Sequence, residues 1–120
     1  MEFCWVTLNI CNMEESLKFY HDLLGLNIFS RFSAGDVEIA MLGKEDKPKI
    51  ELMCNKHTKI ENKGKGISIG FEVDSLDETM AFLQKNNVSV TKGPFSPNPR
   101  IRFFFVSDPD GFEVQLVESK

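Results

Sequence analysis

At 120 residues, with 42% hydrophobic and 27% charged side chains, the chain is one globular domain; it leaves no room for a second and has no apolar run near the roughly 18 residues that cross a bilayer. A net charge of −4 without a basic stripe excludes a nucleic-acid phosphate backbone as the expected partner. Cys4, Cys11 and Cys54 are odd in number and lack CxxC or zinc-knuckle spacing, so they read as reduced thiols and not as a disulfide framework.

Met1 opens directly into a strand-like segment with no basic stretch ahead of an apolar helix, so a cytoplasmic location with no membrane partner is the expectation. Residues 2–10 alternate as a strand, with Val6, Leu8 and Ile10 on one face and Trp5, Thr7 and Asn9 on the other. Asn12 reads as a helix N-cap, Glu14 and Glu15 suit the first turn, and Met13, Leu17, Tyr20 and Leu24 form an apolar stripe that Gly25 ends. Strands are expected at 26–32, 37–42 and 49–54, broken by the Ala34-Gly35-Asp36 turn and by the loop 43–48. The polar, lysine-rich stretch 55–65 is expected to connect two halves, modules of about 1–55 and 66–120 within one domain.

The second half repeats the order. A strand at 66–73 leads to Asp74 as N-cap and to a helix over 76–86, with Leu76, Met80 and Leu83 on one stripe. A short strand is expected at 88–91, and the three prolines of 92–99 predict a loop, because each lacks the amide hydrogen a sheet needs. Residues 100–106 and 112–117 read as strands around the tight turn 107–111. Residues 5–10 (WVTLNI) line up with 68–73 (SIGFEV), and 50–52 with 114–116, at offsets of 63 and 64 residues. One βαβββ unit is therefore built twice.

The segment 12–20 (NMEESLKFY) followed by Leu24, Gly25 and Leu26, together with Asp108-Pro109-Asp110-Gly111 leading into Val114, Gln115 and Leu116, resembles the vicinal oxygen chelate superfamily of glyoxalase I, bleomycin resistance proteins and ring-cleaving dioxygenases. The resemblance covers essentially the whole chain. It implies an α+β fold of two βαβββ modules whose mixed sheets curl around a cleft with helices outside, usually completed by a second chain in a homodimer. In metal-using members the cleft binds a divalent ion through the first and fourth strand of each half. Carried over, those positions are Trp5, Glu51, Ser68 and Gln115, where the glyoxalase pattern expects His or Gln, then Glu, His and Glu. Only Glu51 matches directly.

The donor chemistry can be weighed on its own terms. Lewis-acid work needs about three firm protein ligands. An indole nitrogen donates a hydrogen and offers no lone pair, Ser68 is a poor neutral ligand, and Gln115 supplies one uncharged carbonyl oxygen. No metal and no other cofactor is therefore expected. His21, on the solvent side of the first helix, and His57, in the connecting loop, read as surface histidines.

Counting by twos from these positions gives the expected lining: Trp5, Thr7 and Asn9; Glu51 and Met53; Ser68, Gly70 and Glu72; Glu113, Gln115 and Val117. Trp5 would serve as a stacking platform and Glu51 as an acceptor for a cationic or amide group. Arg100 and Arg102 would share one side of their strand, with Arg102 at the rim for a ligand carboxylate or phosphate. Glu51 is also the candidate catalytic residue, a lone carboxylate beside an indole that could act as a general base next to a carbonyl. The leading expectation is metal-independent binding or sequestration of a small molecule by a homodimer. The alternatives are a lactoylglutathione lyase-type or related lyase or isomerase with a divergent site, and a non-catalytic dimeric scaffold with an inert cleft.

Overall fold

The computed structural model describes residues 1–60 and 64–120. The chain divides into two compact units, Met1–Glu61 and Asn62–Lys120, and the fold is α+β with one four-stranded mixed sheet in each unit. Part of the expected connection 55–65 lies outside the described residues. Among the described residues no helix is long and apolar enough to cross a membrane.

In the first unit β1 (Trp5–Asn9) is followed by α1 (Met13–Leu17), β2 (Ile28–Ala34), β3 (Val37–Leu42) and β4 (Lys49–Asn55), in the sheet order β1-β4-β3-β2. β1 and β4 run parallel, a pairing that needs a crossover, and the helix supplies it. Leu8, Ile10, Leu42 and Leu52 are buried on one side of the sheet, together with Met13, Leu17 and Tyr20 of the helical segment. Arg31 marks the same side at its rim by bonding the carboxylates of Glu14 on α1 and Glu38 on β3, and these two hydrogen bonds, Glu14 first, raise its pKa.

The expected single helix over 13–24 is not regular. Asn12 caps it, its Oδ1 accepting from the Glu15 amide at 3.0 Å, but after Leu17 the chain widens into a π-helical stretch, Lys18–Leu23. The Leu24 amide accordingly reaches back five residues to the Phe19 carbonyl. Within this stretch consecutive Phe19 and Tyr20 are both buried, edge to face at 4.9 Å. Gly25 ends the segment at φ +77°, where a side chain would be strained, and His21 Nδ1 lies 2.7 Å from the Leu26 carbonyl.

The second unit repeats the order as β5 (Ser68–Glu72), α2 (Leu76–Lys85), β6 (Lys92–Asn98), β7 (Ile101–Ser107) and β8 (Glu113–Ser119), with sheet order β5-β8-β7-β6. Phe104, Val106, Val114 and Leu116 are buried on one face, as are Leu76 and Leu83 of α2. Between β7 and β8, Asp108 Oδ1 accepts from the amides of Asp110 at 2.9 Å and Phe112 at 2.8 Å.

Two expectations here are corrected. The strand expected at 88–91 is instead Lys92–Asn98, the segment whose prolines argued for a loop. As the outermost strand it needs partners on one side alone, and it is anchored at Lys92 to Phe105, Phe95 to Phe103 and Asn98 to Ile101. Pro94 and Pro97 fall in the irregular intervals between those anchors. The N-cap of α2 is Ser75 and not Asp74: Ser75 Oγ accepts from the Glu78 amide at 3.2 Å.

Ser75→Ala is therefore expected to lower the unfolding free energy by about 1 kcal/mol, while Asp74→Ala stays within about 0.5 kcal/mol of the parent. Urea unfolding of the two variants checks the assignment, and equal losses would return the cap to Asp74.

Candidate functional site

The helix of each unit takes up one face of its sheet, so the alternate positions stand on the other. In the first unit these are Trp5, Thr7 and Asn9 on β1 and Glu51 and Met53 on β4. The register sets Thr7 beside Glu51 and Asn9 beside Met53. The Thr7 hydroxyl donates to Glu51 Oε1 at 2.6 Å, leaving Oε2 without a partner among the described residues. The neighbour across from Glu51 is thus a hydroxyl and not the expected indole. Trp5 lies one pleat away, level with Lys49.

Trp5 is 51% exposed and borders a groove of about 480 Å³ with Phe3, Phe29, Met41 and Lys49. The Lys49 side chain closes the floor of this groove. Its ammonium donates to the Glu45 carbonyl at 3.0 Å and to the Lys47 carbonyl, and sits 4.8 Å from the centre of the Phe29 ring. With both carbonyls satisfied in this way the lysine holds the 45–48 loop in place.

In the second unit the equivalent face carries Ser68, Gly70 and Glu72 on β5 and Glu113, Gln115 and Val117 on β8, paired in that order. Gln115 Nε2 donates to Ser68 Oγ at 2.8 Å. Glu113 pairs with the Lys92 ammonium at 2.5 Å, and that ammonium lies 5.2 Å from the Phe105 ring centre. Phe105 is level with Gln115 on β7 and joins Phe103 and Phe95 in an aromatic wall, with centroid separations of 5.8 Å between Phe103 and Phe105 and 5.7 Å between Phe95 and Phe103.

The structure thus brings Thr7 to Glu51 and Ser68 to Gln115, each pair within its own unit. Arg102 does not join them. It is level with Glu118 and shares the helix-side face with Phe104 and Val106, and its guanidinium pairs with Asp77 of α2 at 3.2 Å. The pleat that puts Phe103 and Phe105 beside Gln115 necessarily turns Arg102 away. Arg100 stands in the turn before β7. His21 and His57 are exposed; His57 Nε2 meets Asp36 at 2.8 Å.

Sequence reasoning missed the aromatic wall as a unit. Alternation on 100–106 could have placed Phe103 and Phe105 beside Gln115, but Phe95 was out of reach once its segment read as a loop. Among the described residues no three His, Cys, Asp or Glu side chains cluster as a metal would require. The donors at the four carried-over positions are an indole, a hydroxyl that accepts from an amide, that amide, and one carboxylate bonded to Thr7. Neither unit's pair, Trp5 with Glu51 or Ser68 with Gln115, supplies the several charged or imidazole ligands that a Lewis-acid ion asks for.

Known proteins give the same outline. A lactoylglutathione lyase of Neisseria meningitidis is 27% identical over 128 residues, spanning 100% of this chain and 92% of its own length. A trypanothione-dependent glyoxalase I of Leishmania major superposes with a TM-score of 0.84 at 21% identity, covering 98% of this chain and 86% of that one. An antibiotic binding protein of Streptomyces sp. CB03234 superposes with a TM-score of 0.77 at 19% identity, covering 100% and 97%. Likeness at these identities between structures establishes the fold. The sequence itself matches the family profile over residues 3–116, and the chain therefore belongs to the glyoxalase/bleomycin resistance protein/dioxygenase superfamily.

Proposed function

We propose that this protein binds small organic molecules, with no metal ion, and that each unit offers a binding face of its own: Trp5, Thr7, Asn9, Glu51 and Met53 on the first, Ser68 and Gln115 on the second. The observation that carries the reading is the donor set itself. Of the four positions where metal-using relatives keep ligands, only Glu51 offers a charge. What these positions offer instead is an exposed indole and hydrogen-bond acceptors, the furniture of a binding pocket. That one structural neighbour is an antibiotic binding protein is consistent with this reading.

The test uses metal-stripped protein. Equilibration with nickel, zinc or manganese followed by desalting is expected to leave well under one ion per chain by elemental analysis. The same sample, screened against a library of drug-like compounds and metabolites, is expected to give ligands that raise its melting temperature and change the fluorescence of Trp5, the single tryptophan. One firmly held ion per chain would overturn the reading.

A lyase reading is favoured by one finding, the lactoylglutathione lyase name carried by a relative of nearly equal length. It would give Glu51 the role of general base toward a proton next to a carbonyl. On our reading the hemithioacetal of methylglyoxal and glutathione is not turned over, and Glu51→Gln changes nothing in that assay. Turnover that drops at least about 100-fold in Glu51→Gln would establish the lyase instead.

The reading includes a homodimer. The exposed Phe29 and Phe32 offer apolar surface for it. Light scattering is expected to give twice the chain mass of 13.7 kDa, and a single chain mass at micromolar concentration would remove this part.

A further inference from the structure

Gly70 lies in the middle of β5, where glycine is usually a poor choice, because it gives up the most chain entropy and packs nothing. Its backbone does not ask for glycine: it lies outside the left-handed region in which Gly64, Gly66 and Gly111 stand. Packing does not ask for it either. A Cβ added there would meet one atom, Val117 Cγ2, at 3.9 Å, an ordinary contact. A strand glycine without a conformational or steric reason points to something that comes close to the backbone at that spot.

The internal repeat shows what is missing. Thr7 holds the equivalent place in the first unit, level with Glu51, and its hydroxyl donates to that side chain. Gly70 is level with Gln115 and gives it nothing. Gln115 turns its Nε2 to Ser68, which leaves Oε1 without a partner among the described residues. Phe105 is level with Gln115 on the opposite side, backed by Phe103 and Phe95. The notch therefore has a hydrogen-bond acceptor at its edge and an aromatic wall beyond it.

We propose, on the basis of the small-molecule reading above, that the Gly70 notch is a ligand subsite whose size sets specificity, and that it takes a planar aromatic ligand bearing an N–H donor, an aryl amine or aryl amide. The N–H bonds Gln115 Oε1, and the ring lies against Phe105. The ligand supplies the donor that Thr7 supplies in the other unit. An aryl ring without the donor would strand a desolvated carbonyl oxygen and bind less well.

Fluorescence titration with 7-amino-4-methylcoumarin, and with its 7-dimethylamino analogue, which keeps the ring and lacks the N–H, tests both parts. The amino compound is expected to bind about tenfold tighter. In Gly70→Thr the new side chain fills the notch and offers its hydroxyl to Gln115, so the amino compound is expected to bind at least about tenfold more weakly while the melting temperature rises by about 3 °C. A gain in stability together with a loss of binding is an outcome that a merely structural glycine does not give. Gly70→Ala carries the same test with a smaller side chain should the threonine variant fold poorly. Unchanged binding in the variants overturns the notch, and equal affinity for the two coumarins overturns the donor. Failure of both coumarins to bind the parent overturns the ligand class, and the library screen then decides the small-molecule reading separately.

Discussion

The parallel pairing of the first and last strand of each module is the constraint from which the rest follows. Parallel neighbours cannot be joined by a hairpin, so β1 reaches β4, and β5 reaches β8, by way of a helix and two further strands. The alternate residues Leu8, Ile10, Leu52, Val114 and Leu116 then bury one face of each sheet. Residues between them are released from core duty. A slip of one residue would exchange the two sets, so burial of the apolar set is also what fixes Thr7 opposite Glu51 and Gly70 opposite Gln115.

Within that shared frame the two halves carry different chemistry. Thr7 and Glu51 form a closed pair in which a hydroxyl serves a carboxylate, whereas Ser68 and Gln115 form a pair of neutral groups beside an empty backbone position. Each half also sets a lysine over a phenyl ring, Lys49 over Phe29 and Lys92 over Phe105, but the lysines are used differently. Lys49 is spent on loop carbonyls, and Lys92 on Glu113. Both ammonium groups are thereby committed within their own units, while Glu51 Oε2 and Gln115 Oε1 stand as acceptors without a partner among the described residues.

Much of this was legible in the sequence, and the parts that were not have physical reasons. The strand at 37–42 was placed at its observed bounds because its apolar alternation is flanked by turn residues on both sides. The doubled order and the face shared by Trp5, Thr7, Asn9, Glu51 and Met53 follow from a period of two, which any strand obeys. The π-helical stretch was invisible because no residue in 18–23 marks it: the apolar stripe Met13, Leu17, Tyr20 and Leu24 fits a regular helix equally well. Asp74 and Ser75 are both good caps, and only the backbone trace chooses between them. Arg102 was assigned to a rim by its charge, although counting by twos from Phe103 would have sent it to α2.

The strand β6 shows how a feature that defeated the sequence reading supports the site. Three prolines in 92–99 argue against a strand in the interior of a sheet, where every amide is needed, but at an edge they cost little and bring an advantage. An exposed edge with a complete row of amides is a template for pairing with other chains; Pro94 and Pro97 interrupt that row while Lys92, Phe95 and Asn98 keep the strand attached to β7. Phe95 is held by that attachment against Phe103, at the outer end of the aromatic wall. The wall is then built from β7 and a strand that resists extension, so that apolar rings can stand half in solvent beside Gln115 without the sheet growing past them. An edge strand free of proline would secure Phe95 equally well, but it would add an unprotected edge to an exposed aromatic surface, the combination most prone to association.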